Sequence, residues 1–363
     1  MKEETELSAV VSAFQLDGEF VGGAPYGSGH INDSYCVECR AERGVVRSLL
    51  QRINGRVFKD PLSLMANVQR VTAHLAERVY GEADAERRVL RLIPTRDGRG
   101  WHVDATGEVW RAYRFIEGAR TYDAVRSVGQ AFEAAKAFGR FQKMLVDFPA
   151  PRLHDTIPDF HNTAKRYVTL ERAIAEDAAG RAPLVKDEID FARARAPIAR
   201  VLQEAGLPER ITHNDTKFNN VMLDDVTGEG ICVVDLDTVM PGLVLHDFGD
   251  MVRTTTSPAE EDERDLSKVT MQFWMFEALL RGYLSTAGEF LTREEKELLV
   301  VASKVIVFEQ GIRFLTDHLN GDTYYKVHRE GHNLDRCRTQ FTLLESIENQ
   351  EPAMEGLLRA MMG

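Results

Sequence analysis

Strand signals and helix signals occupy different stretches of this chain, and that separation restricts the fold more than any other feature. From residue 20 to 116 the sequence runs in short β-branched and aromatic segments. SYCVECRA (34–41) and VVRSLLQRI (45–53) read as paired antiparallel strands joined by a turn from Ala41 to Gly44. Leu90–Ile93, Trp101–Val103 and Trp110–Phe115 read as further strands, divided by the turn-rich TRDGRG and DATGE. Helices flank and interrupt them. One short amphipathic helix carries Leu7, Val10, Val11 and Phe14. A second covers Pro61–Glu77, where Leu62, Met65, Val68, Val71 and Leu75 recur about every 3.6 residues. Beyond residue 117 helical spacing dominates: Phe132–Leu145, Thr163–Ala178, Glu188–Glu204, Leu266–Thr286, Glu294–Leu319 and Leu334–Ile347, with short strands near Val221–Leu223 and Ile231–Val234. The expectation is an α+β, bilobal chain: a small N-terminal lobe (1–116) built on an antiparallel sheet and a larger, mainly helical lobe (117–363), joined near Phe115–Gly118. A length of 363 residues suits two cores.

Composition narrows the partners. The 57 acidic and 45 basic residues leave a net charge of −12, which argues against nucleic acid or an anionic membrane as the main partner. No apolar run approaches the roughly 18 residues of a membrane helix. The start, MKEETELSAVV, is acidic where a secretory signal is basic and then apolar, so a cytoplasmic location is expected. Cys36 and Cys39 form a lone C-x-x-C on a predicted strand, where residues three apart face opposite sides. They read as ordinary thiols, without the second pair of ligands that zinc requires.

The chemistry concentrates in three places. His213-Asn214-Asp215-Thr216-Lys217-Phe218-Asn219-Asn220 sets an aspartate two residues after a histidine and an asparagine five residues after that aspartate. Phosphoryl transfer needs a carboxylate that orients the nucleophile and takes its proton, together with oxygen ligands for Mg²⁺. Asp215 suits the first task and Asn220 the second. Alone, the same loop also reads as plain turn chemistry. Fifteen residues after Asn220 comes Asp235, at the end of the apolar run Cys232-Val233-Val234 and two residues before Asp237. On an extended segment both acids face one side, and their repulsion calls for a cation. The third place is Gly27-Ser28-Gly29-His30-Ile31-Asn32-Asp33, ahead of the first clear strand. Gly27 and Gly29 allow backbone N–H groups to approach a ligand, and serve a hairpin loop equally well.

HNDTKFNN followed by VVDLDT resembles the aminoglycoside phosphotransferase and choline kinase superfamily, relatives of the protein kinases. GSGHINDSY, QRINGRVFKDP, IPDFHNT, DLDTVMPGLVLHDFGD, GIRFLTDHLNGDTYYK and HNLDRCRTQF together resemble N-acetylhexosamine 1-kinases, over residues 26 to 347. The resemblance implies a protein-kinase-like fold, ATP and Mg²⁺ as cofactors, and phosphorylation of the anomeric hydroxyl of N-acetylglucosamine or N-acetylgalactosamine. It implies that Asp215 is catalytic, that Asn220 and Asp235 bind the metal, and that His213 and Asp247 support the catalytic loop. Adenine would meet the hinge Phe115-Ile116-Glu117, with Gly27 and Gly29 over the phosphates. The sugar would meet His30, Asn32, Asp33, Arg313 and Tyr324.

The strand VVRSLLQRI departs from the kinase pattern, having no lysine for the α- and β-phosphates. Arg52 or Arg47 is the expected substitute, since arginine binds phosphate bidentately. Glu309, Arg313 and Asp317, spaced by four, read on their own as a charge ladder along one helix. His161 and Asn162 read as a helix start, and His328 and His332 as solvated. Two other functions remain open from the residues: a kinase of the same superfamily acting on choline, homoserine or an aminoglycoside, and a kinase fold that binds nucleotide without turnover.

Overall fold

The computed structural model describes residues 2–27 and 31–362. Helix α1 (Lys2–Val11) leads into strands β1 (Glu19–Pro25), β2 (Asp33–Ala41) and β3 (Gly44–Arg52). Helix α2 (Pro61–Arg78), β4 (His102–Val103) and β5 (Val109–Arg114) complete the N-terminal region. The five strands form one antiparallel sheet in the order β1-β2-β3-β5-β4, and Ala41 pairs with Gly44 across the expected turn. Strand alternation gives this sheet two distinct faces. Leu50, Trp110 and Ala112 turn outward and pack with Leu7, Val10, Val11 and Phe14 of the α1 segment. Leu49, Gln51, Arg111 and Tyr113 turn inward, onto a cleft. Helix α2 starts where Asp60 accepts a hydrogen bond from the Ser63 N–H and Pro61 fills the first turn, where its missing N–H is harmless.

The predicted strand Leu90–Ile93 is not a regular one. It runs beside β5 through the single bridge Leu92–Tyr113 and two flanking hydrogen bonds, and Pro94 cannot donate to extend the ladder. Cys36 and Cys39 are free thiols on β2, as expected, with Cys39 buried and Cys36 half-buried.

After the connection at 115–118, strand β6 (Ala119–Arg120) joins β8 (Val221–Asp224) and β9 (Gly230–Val233) in a small sheet, while β7 (Arg210–Thr212) pairs with β10 (Met240–Gly242). Helices α3 (Val128–Met144), α4 (Thr163–Glu176), α5 (Lys186–Ala194), α6 (Val201–Glu204), α7 (Val244–Thr255), α8 (Phe273–Ala287), α9 (Arg293–Glu297), α10 (Leu299–Leu319) and α11 (His332–Met362) make up the remainder. Helix α10 is buried on nearly every side and packs against α4, α7 and α11. Helices α3 and α8 approach so closely that a Cβ on Gly282 would lie 2.2 Å from the Phe132 carbonyl oxygen.

Four predicted helices differ clearly in extent, and one of them, Leu334–Ile347, is the first half of α11, which continues through Pro352 to Met362. The Glu188–Glu204 helix breaks into α5, a 3₁₀ turn (Ala196–Arg200) and α6, because Pro197 removes a donor and crowds the preceding turn. The Glu294–Leu319 helix divides at Leu298, after a short α9 closed by a reciprocal Thr292–Glu295 capping box. Residues 266–268 form a separate 3₁₀ turn capped by Asp265, so α8 begins at Phe273.

Candidate active site

The sheet, the 115–118 connection and the helical region enclose a cleft of about 850 Å³. Its floor is the segment after β7. Asp247, at the start of α7 and fully buried, holds that segment from below. Its carboxylate accepts hydrogen bonds from the backbone N–H of His213 (2.9 Å) and of Asn214 (2.7 Å) and from Gln142 Nε2 (2.7 Å), and its carbonyl accepts one from Thr216 Oγ1 (2.6 Å). Two backbone donors fix the direction of the chain as it enters the loop. His213 is also buried, with its ring edges against Phe138 and Phe141. Its Nδ1 accepts from the Asp215 N–H at 3.3 Å, so Nε2 carries the proton and donates to the Val234 carbonyl at 2.8 Å. One imidazole thereby ties the Asp215 loop to the strand that delivers Asp235.

Asp215 faces the cleft. Asn220 Nδ2 donates to its carbonyl (2.8 Å) and carboxylate (3.2 Å), and Lys217 Nζ lies 3.0 Å from Oδ2. Burial alone would lower the Lys217 pKa, but the Asp215 carboxylate more than offsets it and holds the ammonium above its usual range.

Asp235 and Asp237 do not share a side. Asp235 adopts a left-handed backbone (φ 59°, ψ 63°) and Leu236–Thr238 coil into a 3₁₀ turn, so the extended spacing expected from sequence does not apply. Asp235 opens onto the water of the cleft, with protein packed around the rest of it. The protein crowded around that opening disfavours its charged form, and Asp237 and Asp215 repel it, so its pKa is pushed up to about 6. Asp237 is instead buried in an ion pair with Arg111 of β5 and accepts a further hydrogen bond from Asn32 Nδ2 at 2.5 Å. The left-handed conformation of a non-glycine residue at this point is strain of the kind that functional sites hold.

The absent strand lysine has a structural answer. Arg52 lies on the outward face of β3, where it bonds Asp33 at 3.0 Å and sits over the Trp110 ring, away from the cleft. Arg47 pairs with Glu117 and stacks on Phe115 at 4.3 Å. The inward position of β3 is Gln51, and directly across from it on β5 is Arg111, whose Nε donates to Gln51 Oε1 at 3.0 Å. Arg111 is the buried cation on the roof of the cleft. A charged residue inside the apolar strand VWRAYR was its signal in the sequence.

Of the other expected site residues, Gly27, Asn32, Phe115 and Ile116 line the cleft, and Gly27 has φ 85°, a conformation that favours glycine. Gly29 and His30 lie outside the described residues. Arg313 and Tyr324 are not among the cleft-lining residues: Arg313 bonds Gln310 at 3.1 Å between the Phe160 and Tyr325 rings, and Tyr324 is 69% exposed. The Glu309–Arg313–Asp317 ladder does not form. Glu309 bonds His161 and Thr163, and Asp317 accepts from the backbone N–H groups of Thr323, Tyr324 and Tyr325. His332 is buried with Nε2 2.9 Å from Asp262, contrary to the solvated reading, whereas His328 is exposed. Asn162 caps α4 as expected. A second stretch of cleft wall, from Arg253, Thr254, Ser257 and Glu261 on one side and Thr339 and Gln340 of α11 on the other, carried no sequence signal because its members are about 80 residues apart.

The sequence pattern of the phosphotransferase enzyme family, APH, matches residues 23–276, well over half of the chain. The chain belongs to that family. Solved structures of similar fold include a microcompartment-associated aminopropanol kinase (15% identity, 97% of this chain and 98% of that one, TM-score 0.60). A choline/ethanolamine kinase family protein from Mesorhizobium loti aligns with 17% identity over 99% of each chain, TM-score 0.54. A spectinomycin phosphotransferase in complex with ADP and spectinomycin aligns with 12% identity, 96% of this chain and 98% of that one, TM-score 0.55. The α+β architecture of this phosphotransferase, with its N-terminal antiparallel sheet and helical C-terminal region, is the kinase-like fold of those neighbours. Among its described residues no helix is long and apolar enough to cross a membrane.

A phosphotransferase of this fold implies Mg²⁺, and the donors suit a hard cation. The Asp235 carboxylate receives no hydrogen bond from a side chain or backbone donor among the described residues, and Asn220 uses its Nδ2 on Asp215, which leaves Oδ1 for a metal.

Proposed function

We propose that this phosphotransferase is an ATP- and Mg²⁺-dependent kinase acting on the anomeric hydroxyl of an N-acetylhexosamine, N-acetylglucosamine or N-acetylgalactosamine. The observation that carries this reading is the pairing, in one cleft, of the Asp215 carboxylate with a wall of hydrogen-bonding side chains. Arg253, Thr254, Ser257, Glu261, Thr339 and Gln340 bring donors and acceptors of both kinds. Gln340 Oε1 is buried without a protein donor. The aromatic rings that line the cleft, Tyr26, Phe58, Tyr113, Phe115 and Phe218, belong to other segments. A quaternary ammonium is met by aromatic faces, and this wall supplies none, which favours a neutral, hydroxyl-rich acceptor over choline.

In this reading adenine meets the connection at Phe115–Ile116. Arg111 and Lys217 place positive charge at the roof and floor of the cleft, where the phosphates lie. Asp215 orients the acceptor hydroxyl toward the γ-phosphorus and takes its proton, while Asn220 fixes the Asp215 carboxylate and Lys217 stabilises its charge. Asp235 and Asn220 would hold Mg²⁺, which would supply positive charge to offset that of the phosphates. Most of the acceleration then comes from positioning and from fixed charge.

A transfer assay with ATP across N-acetylhexosamines, free hexoses, choline and aminoglycosides tests the proposal. Transfer to an N-acetylhexosamine ahead of the others supports it. Phosphorylation of choline alone overturns it, as does ATP-dependent thermal stabilisation with no turnover on any acceptor.

A further inference from the structure

His161 was expected only to mark a helix start, yet its side chain is 8% exposed and reaches the loop that carries Asp215. Nε2 lies 3.0 Å from the Asn214 carbonyl oxygen and Nδ1 lies 2.9 Å from Glu309 Oε1 of α10. A carbonyl only accepts, so Nε2 must donate to it. The remaining proton of the pair sits either on Nδ1, giving imidazolium and carboxylate, or on Glu309.

The surroundings decide between those two states. Thr163 Oγ1 donates to the other Glu309 oxygen at 2.6 Å. Burial disfavours the carboxylate, but His161, Arg313 and Thr163 outweigh it and hold Glu309 down at about 2. Burial likewise disfavours a charged His161, but Glu309 and the two hydrogen bonds outweigh it and hold the imidazole above its usual range. The charged or titratable groups facing the ring are Glu309 on α10 and His246 and Asp250 on α7. Burial and then His161 push His246 down to about 3, which leaves it uncharged beside its neighbour.

The ring grips one particular peptide. The carbonyl of Asn214 and the N–H of Asp215 belong to the same planar unit. The carbonyl end is taken by His161 Nε2, and the N–H end by His213 Nδ1 at 3.3 Å. Asn214 itself is left-handed, φ 66°, a conformation that needs external support in a residue other than glycine.

We propose that His161 is a positioning residue: a buried imidazolium, anchored by Glu309, that clamps the Asn214–Asp215 peptide and so sets the direction of the catalytic carboxylate. The proposal rests on Asp215 acting as proposed above. Two measurements on the full chain test it. In ¹⁵N-histidine NMR, the resonances absent from His161→Gln should show both ring nitrogens protonated at pH 8. A ring with one proton at that pH overturns the proposal. In kinetics with ATP and N-acetylglucosamine, and with ATP hydrolysis alone, His161→Phe/Glu309→Leu should lose at least about tenfold in kcat with KM for ATP within about twofold. His161→Gln, which can still donate to the carbonyl, should recover most of that loss. An unchanged kcat in the double variant, or no recovery in His161→Gln, refutes the clamp. Asp215→Ala is the control: if it keeps turnover, the assignment of Asp215 fails and not the clamp. Should the double variant not fold, the NMR result decides alone.

Discussion

Replacing Arg111 with methionine removes one half of an ion pair whose side chains are 1% and 3% exposed. The other half, Asp237, then stays buried with only the Asn32 Nδ2 hydrogen bond at 2.5 Å to meet its charge. Removing one partner of a buried pair costs about 3–5 kcal/mol. The surviving Asn32 contact places Arg111→Met at the lower end, about 3 kcal/mol. Asp237→Leu strands a buried guanidinium that keeps the Gln51 Oε1 hydrogen bond and the face of the Tyr113 ring, and is expected to cost a similar amount, about 3 kcal/mol. The double variant Arg111→Met/Asp237→Leu leaves no uncompensated charge and is expected to cost less than either single change, because well-packed apolar replacements of buried pairs are often neutral. Urea unfolding midpoints of the four proteins measure the coupling. The reasoning fails if the single changes each cost under about 1 kcal/mol, or if the double variant shows their simple sum. Because the pair ties β5 to the turn that follows Asp235, the single variants should also lose much of the thermal stabilisation that Mg·ATP confers.

Other outcomes follow from the same geometry. Asp215→Ala should keep its unfolding midpoint and its Mg·ATP stabilisation while kcat falls by at least about two orders of magnitude; near-normal turnover would contradict the role given to Asp215. Gly282→Ala forces a Cβ against the Phe132 carbonyl and should destabilise by about 1–3 kcal/mol, read by thermal unfolding. Glu309 is held at about 2 against an ordinary value of 4.5, so its contribution to stability is complete above pH 4.5 and is lost as the pH falls toward 2. The stability difference between the wild type and Glu309→Gln should therefore narrow as the pH falls through that window, and a constant difference would show that the carboxylate is not held low. Asn162→Ala removes the cap of α4 and should cost about 1 kcal/mol.

Much of the architecture was legible because it rests on local periodicity. The paired strand segments of β2 and β3 about their polar turn and the helical spacing of α2 and α10 are written in consecutive residues. The errors fell where one residue overrides a pattern: Pro197 within an otherwise helical stretch, Pro94 beside a strand, the Thr292 capping box ahead of α10. At the site, HNDTKFNN and VVDLD pointed to phosphoryl transfer because both segments are contiguous. What stayed hidden depends on contacts across long separations. Arg111 meets Asp237, and His161 meets Asn214 and Glu309, only through tertiary packing. Side-chain direction was equally hidden. The left-handed backbone at Asp235 separates two acids that strand alternation would have placed together, and alternation along β3 turns Arg52 outward while Gln51 faces in.

The central claim, transfer from ATP to the anomeric hydroxyl of an N-acetylhexosamine under the control of Asp215, is tested most directly by ³¹P NMR of the product. With ATP, Mg²⁺ and N-acetylglucosamine or N-acetylgalactosamine, the spectrum should gain one phosphomonoester resonance, coupled to the anomeric proton, that is absent with Asp215→Ala. A phosphate coupled to any other position of the sugar, or product formed only with choline or an aminoglycoside, would contradict it.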